Sequence, residues 1–209
     1  MALVDTVAEQ TVLERLIEES KPPIPAEVAR LNLHWLLFTP FRYPPPPGGS
    51  RFRGPNDPGA FYGAEAVRTS CAEVGYWRWR HLSESPALNS IPPKPQTVFR
   101  IGIAGTSIDL RQPPFDEDRG RWTHRSDYTA CQALARTARA AHVGVIRYES
   151  VRDSRRGGCA AVLDAAVFTS KAPLEQQTWI LTITRARVIW QRSDSIDRAT
   201  LEFSTAGWA

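Results

Sequence analysis

The sequence is short of several things, and each shortage narrows what the chain can be. Its three cysteines, Cys71, Cys131 and Cys159, are odd in number and widely spaced. None falls in a C-x-x-C pair, so neither a disulfide framework nor a thiolate metal site is indicated, and a reducing compartment is expected. No uninterrupted apolar stretch approaches the roughly eighteen residues of a membrane span. Asp5 and Glu9 also stand where a secretory leader needs a basic start and then an apolar run. The expectation is a cytoplasmic protein without membrane contact. No run of about five like charges appears either, so the net charge of +4 permits an anionic ligand without demanding nucleic acid.

Motifs are missing too. There is no G-x-G-x-x-G and no G-x-x-x-x-G-K-[ST], which leaves Gly102 and Gly105 as turn glycines. H-E-x-x-H is absent, and His34, His81, His124 and His142 are scattered, so no metal site is expected. Ser150 has no neighbouring histidine and no nucleophile-elbow glycines, which argues against a hydrolase triad.

What is present describes a soluble globular chain. A hydrophobic content of 42% over 209 residues is enough for a real core and fits one domain with a helical extension. Residues 5 to 20 have the pattern of an amphipathic helix: Val12, Leu13, Leu16 and Ile17 form a stripe that is expected to pack, and Pro22-Pro23 stops it. A short helix follows Pro25. Leu33–Phe38 is a buried segment whose type periodicity does not settle. Pro44–Pro47 favours the extended polyproline form, about 3.1 Å per residue, and Gly48-Gly49 lets the chain turn and present Arg51.

A helix is expected from about Glu65 to His81, with Val67, Ser70, Cys71, Val74 and Trp77 on its apolar face and Glu73 at the border. In Trp77-Arg78-Trp79-Arg80 the tryptophans point to opposite sides, so one packs and the other reaches outward. Residues 97–111 read as two strands around Ala104-Gly105, and Gln112–Arg125 as loop. A core-facing helix is expected over Asp127–Ala141, with Tyr128, Cys131, Leu134, Ala135 and Ala138 inward and Ser126 as its N-cap. Val143–Gly158 is a strand running into a polar loop. Ala160–Phe168 and Gln177–Gln191 read as further strands, and Ser204–Ala209 specifies little. Helices and strands mix without strict alternation, which favours α+β.

Arg42, Arg51, Tyr62, Glu73 and Ser150 each have a structural explanation taken singly. Together they form a pattern. Arg51, Tyr62 and Glu73 are spaced eleven residues apart. The set F-R-Y (41–43), S-R-F (50–52), F-Y-G-A-E (61–65), C-A-E-V (71–74) and I-R-Y-E-S-V-R (146–152) resembles the RES domain family, the toxin half of bacterial RES–Xre toxin–antitoxin pairs. The resemblance covers roughly Phe38 to Trp190. Arg53-Gly54 stands where many members of that family carry two acids.

The resemblance implies an ADP-ribosyltransferase-like mixed-sheet domain over residues 31–209, behind a helical extension over 1–30. It implies an enzyme that consumes NAD+ by hydrolysis or phosphorolysis of the nicotinamide–ribose bond, with inorganic phosphate as co-substrate in the second case. By position, Arg51, Tyr62 and Glu73 correspond to catalytic residues, and Arg42, Tyr43, Arg51, Tyr62 and Ser150 to NAD+ contacts. Arg42 or Arg51 suits the pyrophosphate. Tyr43 or Tyr62 suits the cationic nicotinamide ring. Glu73 suits the positive charge that develops on the ribose, and Ser150 suits the nicotinamide or a phosphate. A cognate Xre-type antitoxin, and a homodimer within the complex, are the partners it implies. Transfer of ADP-ribose to a protein and a non-catalytic partner-binding module are the alternatives.

Overall fold

A computed structural model describes residues 6–193 and 198–208. Asp5 of the expected first helix and Ala209 lie outside the described residues. The fold is α+β, with helices set around two four-stranded sheets. In chain order the elements are α1 (Val7–Glu19), α2 (Ala26–Ala29), α3 (Trp35–Arg42), β1 (Phe61–Ala64), α4 (Val67–Ser83), β2 (Ser90–Arg100) and β3 (Ser107–Asp109). They continue with α5 (Arg119–Trp122), α6 (Thr129–Ala140), β4 (Val145–Glu149), β5 (Gly158–Val162), β6 (Glu175–Thr184), β7 (Arg187–Arg192) and β8 (Thr200–Ser204).

The first sheet has the order β1-β5-β4-β3, with β3 parallel to β4 and the other pairs antiparallel. The second, β2-β6-β7-β8, is antiparallel throughout. β2 holds Pro92, Pro93 and Pro95 because it is an edge strand, where a missing N–H breaks no ladder; its register shifts at Ile91/Lys94. The strand pair expected within 97–111 is therefore displaced: β2 starts at Ser90, and only Ser107–Asp109 forms the second strand.

Three apolar clusters hold these layers. Cys131, Ala135 and Ala138 of α6 pack with Ile146, Tyr148, Cys159 and Phe52 on one side of the first sheet. Val28, Leu37 and Phe41 of α2 and α3 pack with Phe61, Val145 and Val162 in a second cluster. Cys71, Ala72 and Tyr76 of α4 pack against Trp179, Leu181, Val188 and Trp190 of the second sheet. The segment Leu33–Phe38 thus enters a helix, α3, whose first turn is capped by His34 Nδ1.

Several expectations need correcting. The α1 stripe buries nothing: Val12, Leu16 and Ile17 are exposed, although Thr6 and Glu9 form a complete capping box. The inward face of α4 is rotated, with Thr69, Cys71, Ala72, Gly75 and Tyr76 buried and Val74 and Trp77 exposed, because the helix packs on a sheet on one side and on a loop on another. Gln112–Arg125 contains a 3₁₀ turn (Phe115–Asp118) and α5. Ser126 does not cap α6; Asp127 accepts from Thr129 N–H instead. The chain end is ordered through β8, a 3₁₀ turn and a buried Trp208 whose Nε1 donates to Arg152 O at 2.8 Å.

Candidate active site

The first side chain to place is Arg51. Gly48 and Gly49, both at positive φ, turn the chain after the proline run. Gln132 on α6 then donates to the carbonyls of Gly48 and Ser50. Tyr62, on β1, closes the other side: its hydroxyl lies 2.8 Å from Ser50 Oγ and accepts from Phe52 N–H at 3.0 Å. Tyr62 so brackets Arg51 by bonding both of its neighbours. The guanidinium runs inward, donating Nη1 to Trp122 O (2.7 Å) and His124 O (3.0 Å) and lying 4.7 Å from the centre of the Tyr128 ring. Burial raises the Tyr62 phenol above its usual value, so it stays protonated.

Glu73 leaves α4 toward the loop that follows β4. Ser150 donates its hydroxyl to Glu73 Oε1 at 2.5 Å. The same oxygen of Ser150 accepts from the backbone N–H groups of Arg152 (3.2 Å) and Asp153 (3.0 Å). A hydroxyl has one proton and two lone pairs, so all three are used and the proton is aimed at Glu73. The loop is clamped onto α4 by Thr69 Oγ1 donating to Asp153 Oδ2 (2.9 Å). Gly157 allows this approach, since a Cβ there would meet Thr69 Oγ1 at 2.1 Å.

Burial raises the Glu73 carboxyl above the usual carboxylate value, while Ser150, Arg51 and Arg152 pull it back down. Arg152 lies 3.5 Å from the centre of the Tyr76 ring and donates to Arg125 O. Tyr148 and Cys159 line the interior beside this group. Burial holds the Tyr148 phenol well above its usual value and the Cys159 thiol up at about 12, so both are neutral.

The structure therefore brings Arg51, Tyr62, Glu73 and Ser150 into one region and leaves Arg42 and Tyr43 out of it. Arg42 ends α3 and turns to the N-terminal segment, donating Nε to Pro22 O (2.5 Å) and Nη1 to Glu18 Oε1 (2.6 Å). Tyr43 lies beside it, 6.0 Å from the guanidinium. Arg42, expected to face a ligand phosphate, here forms an ion pair with Glu18 of α1. Ser150 bonds Glu73 and also lines the smaller of the two cavities that flank the cluster. Arg152, quoted in the R-Y-E-S-V-R motif but given no role there, is the group sequence reasoning missed. Its separation from Ser150 by two residues was the available signal.

Two cavities flank the cluster. The larger, about 870 Å³, lies between the sheets and is lined by Tyr62, Ser70, Val74, Phe99, Arg147 and Glu65 among others. Glu73 sits between Ser70 and Val74 in sequence, on the helix that forms this wall. The smaller, about 500 Å³, is lined by Ser150, Arg152, Arg125 and Arg68. Among the described residues no group of His, Cys, Asp and Glu could hold a metal ion, and no helix is long and apolar enough to cross a membrane.

An α+β domain with a buried arginine–glutamate–serine cluster beside an inter-sheet cleft is the class that this geometry defines. The RES domain is matched over residues 25–184, and the chain belongs to the RES domain family. Curated proteins yield no match.

Proposed function

We propose that this protein is a toxin enzyme that degrades NAD+ by cleaving its nicotinamide–ribose bond. The observation that carries the reading is the carboxylate of Glu73, fixed by the Ser150 hydroxyl and set in the field of Arg51 and Arg152. Breaking the glycosidic bond leaves the bonding electron pair on the nicotinamide nitrogen, which departs as a neutral base, and builds positive charge on the ribose. A preorganised carboxylate stabilises that charge as it develops. The acceptor oxygen, from water or inorganic phosphate, then bonds to the ribose carbon, and water gives up a proton in doing so.

In this reading the dinucleotide occupies the cleft of about 870 Å³, which falls in the size range of small-molecule sites. Tyr62, whose hydroxyl is buried against Ser50 and Phe52 while the side chain as a whole is part-exposed, lines that cleft and meets the cationic nicotinamide there. Arg51 supports the field at Glu73 and holds the 122–128 segment. An antitoxin of the Xre type is proposed as the partner, and the uncovered apolar stripe of α1 supports contact with a protein. The work is proposed to take place in the cytoplasm, on the NAD+ pool.

Purified protein incubated with NAD+, with and without phosphate, tests the proposal through nicotinamide release. ADP-ribose as product identifies water as acceptor, and ADP-ribose-1″-phosphate identifies phosphate. No release in either condition from folded protein overturns it.

A further inference from the structure

Two helical faces of this chain are left without cover, and they are opposite in charge. α1 is 13 residues long and buries none of them, whereas isolated helices of about that length are marginal in water. Its Val12, Leu16 and Ile17 are exposed, and it carries Glu9, Glu14, Glu18 and Glu19 against Arg15 alone. The capping box at Thr6 and Glu9 fixes its start, and Arg42 grips its far end through Glu18 and Pro22 O. At about 1.5 Å per residue the helix spans roughly 20 Å, so an arm held at its base can reach a second molecule.

The second face is the outward side of α4. Val74, Trp77, Arg78 and His81 recur there at intervals of three and four, and all four are exposed. Trp77 meets Tyr76 edge-on and lies under the Arg80 guanidinium, 5.6 Å from its ring centre, so the indole is held in place before any partner arrives. Arg80 pairs with Glu84, while Arg78 makes no ion pair among the described residues. One face is therefore apolar with an acidic border, the other apolar with a basic one.

We propose that two copies of this chain dimerise by exchanging α1, the arm of each docking on the outward face of α4 in the other. The apolar stripes cover one another, and the glutamates beside one meet Arg78 and Arg80 beside the other. Pairing α1 with α1, or α4 with α4, sets like charges together and is disfavoured. Exchange is reciprocal, so a two-fold axis closes it and both contacts form at once. The arm lies outside residues 25–184, so the contact is not part of the matched RES domain. Val74 also lines the inter-sheet cleft, which sets the second copy's helix beside that cleft. An antitoxin that used the α1 stripe would compete with the dimer.

Sedimentation velocity of the full chain over a concentration series tests this without any turnover, so the result is independent of the NAD+ reading. A dimer is expected that weakens as salt rises, because its charged border is exposed. Leu16→Asp and Trp77→Asp, both at exposed positions, should each lower the dimer affinity about tenfold or more, the scale of one lost apolar anchor. Mixed one to one, the two variants should recover a heterodimer tighter than either variant alone. The Leu16→Asp chain keeps its α4 face and the Trp77→Asp chain keeps its arm, so one contact stays intact. Loss of the dimer in one variant alone, or in both without recovery on mixing, overturns the exchange. So does a dimer that neither variant weakens, or wild-type protein that stays monomeric up to about 0.1 mM.

Discussion

Arg42 and Arg51 are nine residues apart in the sequence, and the family resemblance gives both of them to the same ligand. The structure separates them. Arg51 enters the interior, bracketed by Tyr62 and bonded to two carbonyls of the 122–124 segment. Arg42 stays at the end of α3 and ties down the N-terminal segment through Glu18 and Pro22. The difference comes from what lies between them. A stiff proline run carries the chain away from α3, and two glycines at positive φ reverse it. Arg51 is built into the interior while Arg42 fastens the N-terminal segment, and four experiments press on that difference.

The largest effect is expected at Glu73. Glu73→Gln keeps the shape and the Ser150 contact but removes the charge, and nicotinamide release should fall by roughly 10²–10³-fold. Retained turnover with unchanged circular dichroism would remove Glu73 from the mechanism. Next comes Arg51→Ala, which strands two carbonyls. Denaturant unfolding should show a loss of about 1–3 kcal/mol, whereas Arg42→Ala should cost clearly less.

Ser150→Ala acts through pH. The Ser150 hydrogen bond lowers the Glu73 pKa, so removing it raises that pKa further. If the ionised carboxylate is the working form, the acid limb of the pH–rate profile moves to higher pH in the variant. A limb that stays in place would show that another group sets it. The same raised pKa has a signature in stability. The fold favours protonation of Glu73 more than the unfolded chain does, so its contribution is fully present below the usual value of 4.5 and is lost as pH rises through the folded value. In Glu73→Gln that part of the pH dependence should vanish.

The smallest effect is expected from Glu18→Gln, an exposed pair member. Catalysis should hold within about twofold, since surface ion pairs contribute little. Limited proteolysis between α1 and α2 should nonetheless speed up. A large loss of activity in Glu18→Gln or Arg42→Gln would return Arg42 to the site.

Much of this was legible in the residues. α6 was readable because Cys131, Ala135 and Ala138 keep a clean helical period against one sheet. α4 was located, but its face was not, since Thr69 and Glu73 turn to a loop while Cys71 and Tyr76 turn to the second sheet. No single stripe describes a helix with two partners. The packing of α1 was unreadable for a different reason: amphipathic spacing says that a face wants cover and not that the chain supplies it. Arg51, Tyr62, Glu73 and Ser150 were identifiable as a set, yet only coordinates show that Ser150 serves Glu73. Trp208 escaped notice because a lone tryptophan in a short tail has no period to reveal that it is buried.

The clasp between Tyr62 and the 50–52 segment makes the interval from Arg51 to Tyr62 a closed ring of chain. Within it Asp57 accepts from the Gly54 N–H, and Gly59 passes Phe41 so closely that a Cβ would stand 2.2 Å from the Phe41 Cα. Pro55 and Asn56 sit exposed on its outer arc. Replacements at these two exposed positions should therefore be absorbed, whereas a side chain at Gly59 would force the ring off Phe41.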